Sequence, residues 1–526
     1  MKASVTLDKV WLPAGFACLV TAITGALIFL SSRSTGTQFV YPLDDTYIMM
    51  AIAKNFSHSV VWGATPFSFS PASSTPLYTL LLSGWYWIAG PNTWLPAALA
   101  TTCACLAVVE ANISMAELPR LLRVAGLLSI VLLVPLYVIA LTGMEHCLHI
   151  YLSLLFLRLA STSIESGRPA RMLVLLVPVM VLVRYESLFL IGICSGILVL
   201  RKRWLFGLTL LLAAGAALAA YAAFSIAHGC GWLPNSILMK GTQSSPGTGG
   251  LLQSMLVRLI VNLIAAPYCT ALLVLLLLGL LATRGAAPIW DRRRIALAIV
   301  SLAILAHFTF ARVGWVYRYE AYLIALSLVC LACVTPLLRF TAAMRLAFGT
   351  CAAAALLSLA FRSYGSTANI QKASFNIYEQ QYQMSKFVSR YYPHAAIAAN
   401  DIGWITYAND VHLVDLVGLA DWEVLQAKQK HEYTTSFIDS LASRRQVDIA
   451  IVYDSWFNDG QHSEFGGPAL PRTWLRAARW HIEDNHFLGG DTVSFYAVKP
   501  DGIGALQSAL QDYKASLPRS VQVLEK

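Results

Sequence analysis

The sequence predicts a polytopic α-helical membrane protein with about eleven transmembrane helices and a C-terminal extracytoplasmic α/β domain. Three observations carry that expectation. Apolar runs near the length that crosses a bilayer, about 20 residues for roughly 30 Å of hydrocarbon, recur from residue 10 to residue 361. Arginines gather in the short loops between them, as "RLLR" (120–123), "RPAR" (168–171), "RKR" (201–203) and "DRRR" (291–294), the pattern of loops retained on the cytoplasmic side. After Phe361 the chain turns polar and its apolar segments shrink to strand length. Of 526 residues, 57% are hydrophobic and 13% charged, which excludes a string of soluble domains.

Residues 10–31 follow a basic start without a small-residue cleavage site, and read as an uncleaved anchor crossing outward from a cytoplasmic N-terminus. The apolar stretch 75–90 is too short to cross: about 15 residues reach only about 22 Å. Crossing there also puts "RLLR" outside, so a juxtamembrane or re-entrant helix is expected, with Trp85, Tyr86 and Trp87 at the interface. The remaining spans alternate through 94–113, 124–141, 146–161, 171–183, 187–200, 204–227, 262–283, 295–311, 321–337 and 343–361. Residues 1–361 then form the membrane domain, with an outer-face loop at 32–93, and residues 362–526 the soluble domain. "GTQSSPGTGG" (241–250) reads as a flexible exposed loop that could lie as a lid over the outer side. In the tail, "AAIAAN" (395–400), "VHLVDLVG" (411–418), "VDIAIVY" (447–453) and "TVSFYAV" (492–498) have strand character.

The net charge of +10 belongs to the topological arginines and makes no case for nucleic acid. Ten cysteines lie almost entirely in apolar runs and none follows Cys351, so the tail has no disulfide framework. "CLAC" (330–333) has no His partner and reads as packing.

This topology gathers ionisable residues at the outer ends of spans: Asp44, Asp45, Glu145, His146, Arg184, Glu186, Lys240, Arg312, Arg318 and Glu320. Such residues are costly at membrane depth and face a cavity or a partner. They suit transfer of a sugar from a lipid-linked phosphate to a hydroxyl. The leaving group is already a stable anion, so the chemistry needs a carboxylate to take the acceptor proton and cations to stabilise phosphate charge. Asp44 or Asp45, in "LDDTYI", supplies the base, and the bland alternative is Asp44 as a helix N-cap after Pro42. Arg184 and Arg318, each in "RYE", suit phosphate by their planar forks, or else pair with their own glutamates. Lys240 meets a phosphate as a point charge or snorkels at the interface. Glu145, His146, Glu186, Glu320, Lys54 and His58 are candidates for sugar or acceptor contact. One His beside one Glu is weak as a metal site; a divalent cation, Mg or Mn, is admitted but not required. Asp401 and Asp415, ending strand-like runs, read as structural or acceptor-binding.

With these motifs in view, the chain resembles the GT-C superfamily of integral-membrane glycosyltransferases. The features that carry the resemblance are "LDDTYI", "TGMEHCLHI" (142–150), "VRYESLFL" (183–190), "GWLPNSILMKG" (231–241) and "GWVYRYEAYLI" (314–324). Their order is similar to that in bacterial polyprenyl-phosphate-sugar-dependent enzymes related to terminal arabinofuranosyltransferases. "RYES" stands where the arabinosyl relatives have "RPEG", so arabinosyl specificity is not carried over. The resemblance implies a catalytic site at the outer face of the bacterial cytoplasmic membrane and a periplasmic tail. It also implies a polyprenyl-phosphate-sugar donor, inversion at the anomeric carbon, and Asp44 or Asp45 as catalytic carboxylate. The acceptor is then an envelope glycan, lipid or protein. A flippase of polyprenyl-linked sugars is the alternative from another class, disfavoured by almost wholly apolar span centres; a whole-glycan ligase is the other.

Overall fold

A computed structural model describes residues 2–36, 39–242, 250–314, 316–457 and 467–524. Most of the expected loop at 241–250 lies outside them. The chain divides into two compact units. The first comprises Met1–Ile28, Leu95–Ala220 and Pro246–Ala368; the second comprises Phe29–Trp94, Tyr221–Ser245 and Asn369–Lys526. The loop after the first span thus groups with the C-terminal region in the second unit.

Six helices among the described residues are long and apolar enough to cross a membrane: Val10–Thr35, Leu95–Ser114, His146–Ser166, Trp204–Ala227, Arg292–Phe310 and Ala342–Tyr391. A seventh candidate is the pair Leu252–Ala265 and Pro267–Ala282, bent by 98° at a proline that cannot continue the ladder. Met172–Val183, Ser187–Leu200 and Ala321–Leu337 are apolar but shorter. The expected span at 124–141 is two helices, Arg120–Leu133 and Leu136–Leu141, with Pro135 between them. The charged motifs occupy such breaks. "TGMEH" joins Leu136–Leu141 to His146–Ser166, with Gly143 at φ 67°, and "RYE" at 184–186 joins Met172–Val183 to Ser187–Leu200. A helix end already exposes backbone groups that need partners, so polar side chains gather there at little further cost.

The second unit is built on a mixed six-stranded sheet. Its strands are β1 (Ala396–Ala399), β2 (His412–Asp415), β3 (Ile449–Val452), β4 (Leu475–Ile482), β5 (Thr492–Ala497) and β6 (Val521–Leu524). The order is β2-β1-β3-β5-β4-β6, with β2, β1 and β3 parallel and the rest antiparallel. The four expected strand runs are β1, β2, β3 and β5. β4 escapes sequence reading because a register shift between Arg476 and Ala478 breaks its alternation, and β6 is a four-residue edge strand.

One sheet face presents Trp480 and Phe495 to a cluster with Phe387 and Tyr513, joined by Ile48, Ile52 and Trp62 from the segment after the first span. Trp480 is fully buried, with Phe495 at 4.4 Å and Tyr513 stacked at 5.7 Å between ring centroids. Trp480→Ala is expected to cost about 3–5 kcal/mol. Limited proteolysis of the full chain should then show faster cleavage within residues 396–524 than in wild type.

Candidate active site

The sequence-derived residues form two groups, one in each unit. In the second unit, helix Asp44–Ser59 begins at Asp44, and the position before it, Leu43, makes no side-chain cap. The local-cap reading of Asp44 is therefore replaced by a long-range one. Asp44 Oδ2 accepts from the Gly403 backbone N–H at 2.5 Å and Oδ1 from that of Trp404 at 3.0 Å. These are the first two residues of helix Gly403–Ala408, so Asp44 caps a helix 359 residues away in sequence. A carboxylate there satisfies orphan donors and meets the positive end of the helix dipole.

Lys54 serves the other end of the same short helix. Its ammonium donates to the Tyr407 carbonyl at 2.9 Å and to Asp410 Oδ1 at 3.2 Å. Between these contacts the Tyr47 ring lies 4.1 Å from that of Trp404. Gly403 permits the approach, because a Cβ there would stand 2.6 Å from the Asp44 carboxylate. His58, at the exposed end of its helix, contacts Ser57 Oγ and the Lys54 carbonyl.

Asp44 is buried against Asp401, which follows β1. Asp401 Oδ2 accepts from Gln381 Nε2 at 2.6 Å and from the Tyr453 hydroxyl at 3.1 Å. Burial pushes the Asp44 carboxyl well above the ordinary carboxylate range; the Asp401 charge and hydrogen bond add to this, and the two backbone donors oppose it. Burial also raises Asp401, against its bonds to Asp44, Gln381 and Tyr453. Two adjacent carboxyls cannot both ionise cheaply, which favours a proton held between them. Asp45, next in sequence, is only half-buried.

The place is set by topology. The chain leaves β1 for β2 on one side and returns to β3 on the other, which makes the carboxyl ends of β1 and β3 a switch point. Asn400 and Asp401 follow β1, Tyr453 follows β3, and Tyr453 N–H donates to Asn400 Oδ1 at 3.0 Å. Asp415, ending β2, accepts from the Val417 and Ala420 N–H groups at 2.8 and 2.6 Å, a turn-forming role.

In the first unit the two "RYE" motifs and "TGMEH" converge. Arg184 Nη1 donates to Glu145 Oε1 at 2.8 Å and Nε to Glu186 Oε2 at 3.1 Å, with a second contact from Nη2 to Glu186 Oε1. Its guanidinium lies 5.6 Å from the Tyr319 ring centroid, and that of Arg318 lies 5.3 Å from the same ring. Arg318 is buried with Nη1 against Met144 Sδ. His146 Nδ1 is 3.6 Å from Glu145 Oε1.

Glu320 belongs to a neighbouring set that sequence reading missed. It accepts from the Tyr268 hydroxyl at 2.8 Å, the Gly314 N–H at 2.8 Å and Arg362 at 3.1 Å. Arg362 lies between the rings of Tyr268 and Tyr317 and donates to the Tyr317 carbonyl. An arginine just past the last apolar run was the available signal. Lys240 lies on helix Asn235–Thr242, and its side chain is outside the described residues. Among the described residues, no group of three or more His, Cys, Asp or Glu is arranged to hold a metal ion.

A family model described as a domain of unknown function (DUF8728) matches residues 369–496. Comparison with curated proteins gives no match. Among solved structures, the chain is similar to ArnT from Cupriavidus metallidurans bound to undecaprenyl phosphate. Identity is 12% and the TM-score 0.50, over 92% of this chain and 98% of that one. It is also similar to the Archaeoglobus fulgidus oligosaccharyltransferase in complex with Zn and sulfate, at 13% identity and TM-score 0.46, covering 97% and 75%. The mycobacterial arabinofuranosyltransferase AftD follows at 12% and 0.37, covering 91% and 40%. The likeness to ArnT is one of fold and runs through nearly the whole of both chains. A fold of this kind is what the resemblance carried by the sequence motifs implies.

Removing Arg184 leaves Glu145 and Glu186 facing each other without their cation. Arg184→Ala is expected to cost about 3–5 kcal/mol and to lower the thermal unfolding midpoint in detergent more than Glu186→Gln does. The shared proton gives a pH dependence of the opposite kind to an ordinary ion pair. Asp44 and Asp401 are raised in the docked state, so docking binds the extra proton and is strongest below the ordinary carboxylate range. It weakens as pH rises toward their raised values and levels off above them. Exchange of the Gly403 and Trp404 amides, corrected for intrinsic base catalysis, should therefore quicken across that rise.

Proposed function

We propose that this chain is a glycosyltransferase that moves a monosaccharide from a polyprenyl-phosphate donor to a hydroxyl of an envelope glycan, lipid or protein. The reaction takes place at the outer face of the bacterial cytoplasmic membrane, with about eleven spans, the N-terminus inside and the tail outside. Asp45 is the general base. It takes the acceptor proton while the hydroxyl oxygen attacks the anomeric carbon from the face opposite the phosphate. The glycosidic electron pair leaves with the phosphate, and the configuration inverts.

The observation that carries the choice of Asp45 is the engagement of its neighbour: both Asp44 oxygens hold backbone N–H groups, and the Asp44 carboxyl lies against Asp401. Asp45 is the carboxylate of the pair that remains half-buried. The carrier is supported by the fold shared with ArnT, which was crystallised with undecaprenyl phosphate. In this reading Arg318 and Lys240 are the candidates for the donor phosphate, and Arg184 is held by Glu145 and Glu186. His146 and Glu320 contact sugar or acceptor hydroxyls. Lys54 and His58 are reassigned to holding their own helix and the one it packs on.

The test supplies undecaprenyl-phosphate-linked sugars and candidate acceptors to the protein in nanodiscs and follows release of undecaprenyl phosphate. Asp45→Asn is expected to lower kcat by about 10²–10⁴-fold while the protein stays folded. Wild-type release in that variant removes Asp45 as base. Movement of the lipid across the bilayer without release selects the flippase reading instead.

A further inference from the structure

We infer that the C-terminal domain holds the reactive segments in place: the ends of β1 and β2 clamp residues 44–59 and 231–242, and Asp401 and Gly403 are positioning residues for Asp45. This rests on the reading of Asp45 as base.

Two independent contacts carry the inference, and both lie inside the second unit. At the end of β1, Asp401 and the Gly403 and Trp404 N–H groups fix Asp44, and the peptide bond from Asp44 leads directly to Asp45. With its backbone neighbour locked and its helix packed along Gly403–Ala408 from Asp44 to Lys54, the backbone of Asp45 is held in place. At the end of β2, the fully buried Asn235 of "GWLPNS" donates to the Gly418 and Leu419 carbonyls at 3.3 and 3.1 Å. Its own N–H donates to the Pro71 carbonyl at 2.9 Å. Gly231 of the same motif sits so close to Trp422 that a Cβ would stand 2.9 Å from a ring carbon.

The sheet's switch point is where an open α/β domain ordinarily takes a ligand. Here the protein's own Asp44 fills it. A domain whose binding crevice is occupied by its own chain acts as a brace. Asp401 acts through Asp44 and touches no substrate.

The experiment compares full-length wild type, Asp401→Ala, Asp401→Asn and Asp45→Asn in nanodiscs, by amide hydrogen exchange and by release of undecaprenyl phosphate from the same sugar panel. Asp401→Ala removes the partner that shares the proton. Exchange at Gly403, Trp404 and residues 44–59 should rise at least about 10-fold, with residues 95–220 unchanged. In the same variant kcat should fall by about 10²-fold, with donor KM held within about 3-fold. The amide of Asp401→Asn supplies the donor that the shared proton provides, so this variant should recover both. Unchanged exchange in Asp401→Ala overturns the inference, as does raised exchange with wild-type kcat. Wild-type kcat in Asp45→Asn removes the base assignment and leaves the docking result standing, so the two failures are distinguishable.

Discussion

The second unit depends on one carboxyl placed at the start of one short helix. Gly403–Ala408 has six residues, too few to be stable alone, since nucleation is costly and propagation hardly begins. Asp44 satisfies its first donors and Lys54 the Tyr407 carbonyl in its last turn, so a single partner helix supplies both ends. Burying a carboxyl is expensive unless its oxygens are bonded and its charge is met. Backbone donors do the first, and a proton shared with Asp401 does the second. The close approach needs Gly403, because any side chain there meets Asp44.

In the first unit the recurrent device is the broken helix. Each break frees backbone groups and supplies room for long polar side chains, and the charges that arrive are set against one another. Glu145 and Glu186 flank Arg184, and Glu320 meets Arg362. Such pairs contribute less to stability than their geometry suggests, because desolvation offsets most of the attraction. Their effect is to fix the orientation of side chains that the bilayer would otherwise drive outward. Tyr319 lies near both Arg184 and Arg318, so one ring meets two cations.

The fold shared with ArnT extends over nearly the full length at low identity, which is the expected behaviour of a membrane architecture. Apolar spans exchange residues freely so long as length and burial are kept. The polar motifs at helix breaks are under a different constraint, since each must satisfy buried hydrogen bonds in particular partners. That is why short motifs such as "TGMEH" and "RYE" were informative where whole spans were not. The domain of unknown function matched by residues 369–496 contains Asp401 and Gly403, which meet Asp44 of the segment after the first span, and Asp415, which accepts from backbone N–H groups.

The sequence by itself determined the membrane class, the place where the chain turns polar, four of the strands and the residues at the helix breaks. Hydrophobic length and local charge are properties of neighbouring residues, and they survive being read one segment at a time. Tertiary structure decided the rest. Asp44 and Asp45 are indistinguishable as letters, and only a helix 359 residues away separates a buried, proton-sharing brace from a half-buried carboxylate. Lys54, which reads from sequence as a candidate ligand contact, donates to a carbonyl near the far end of that helix. Arg362, just past the last apolar run, takes its role only from Glu320 beside it. In each case a charge takes its meaning from what neutralises or solvates it, and that partner is set by the fold, not by the local sequence.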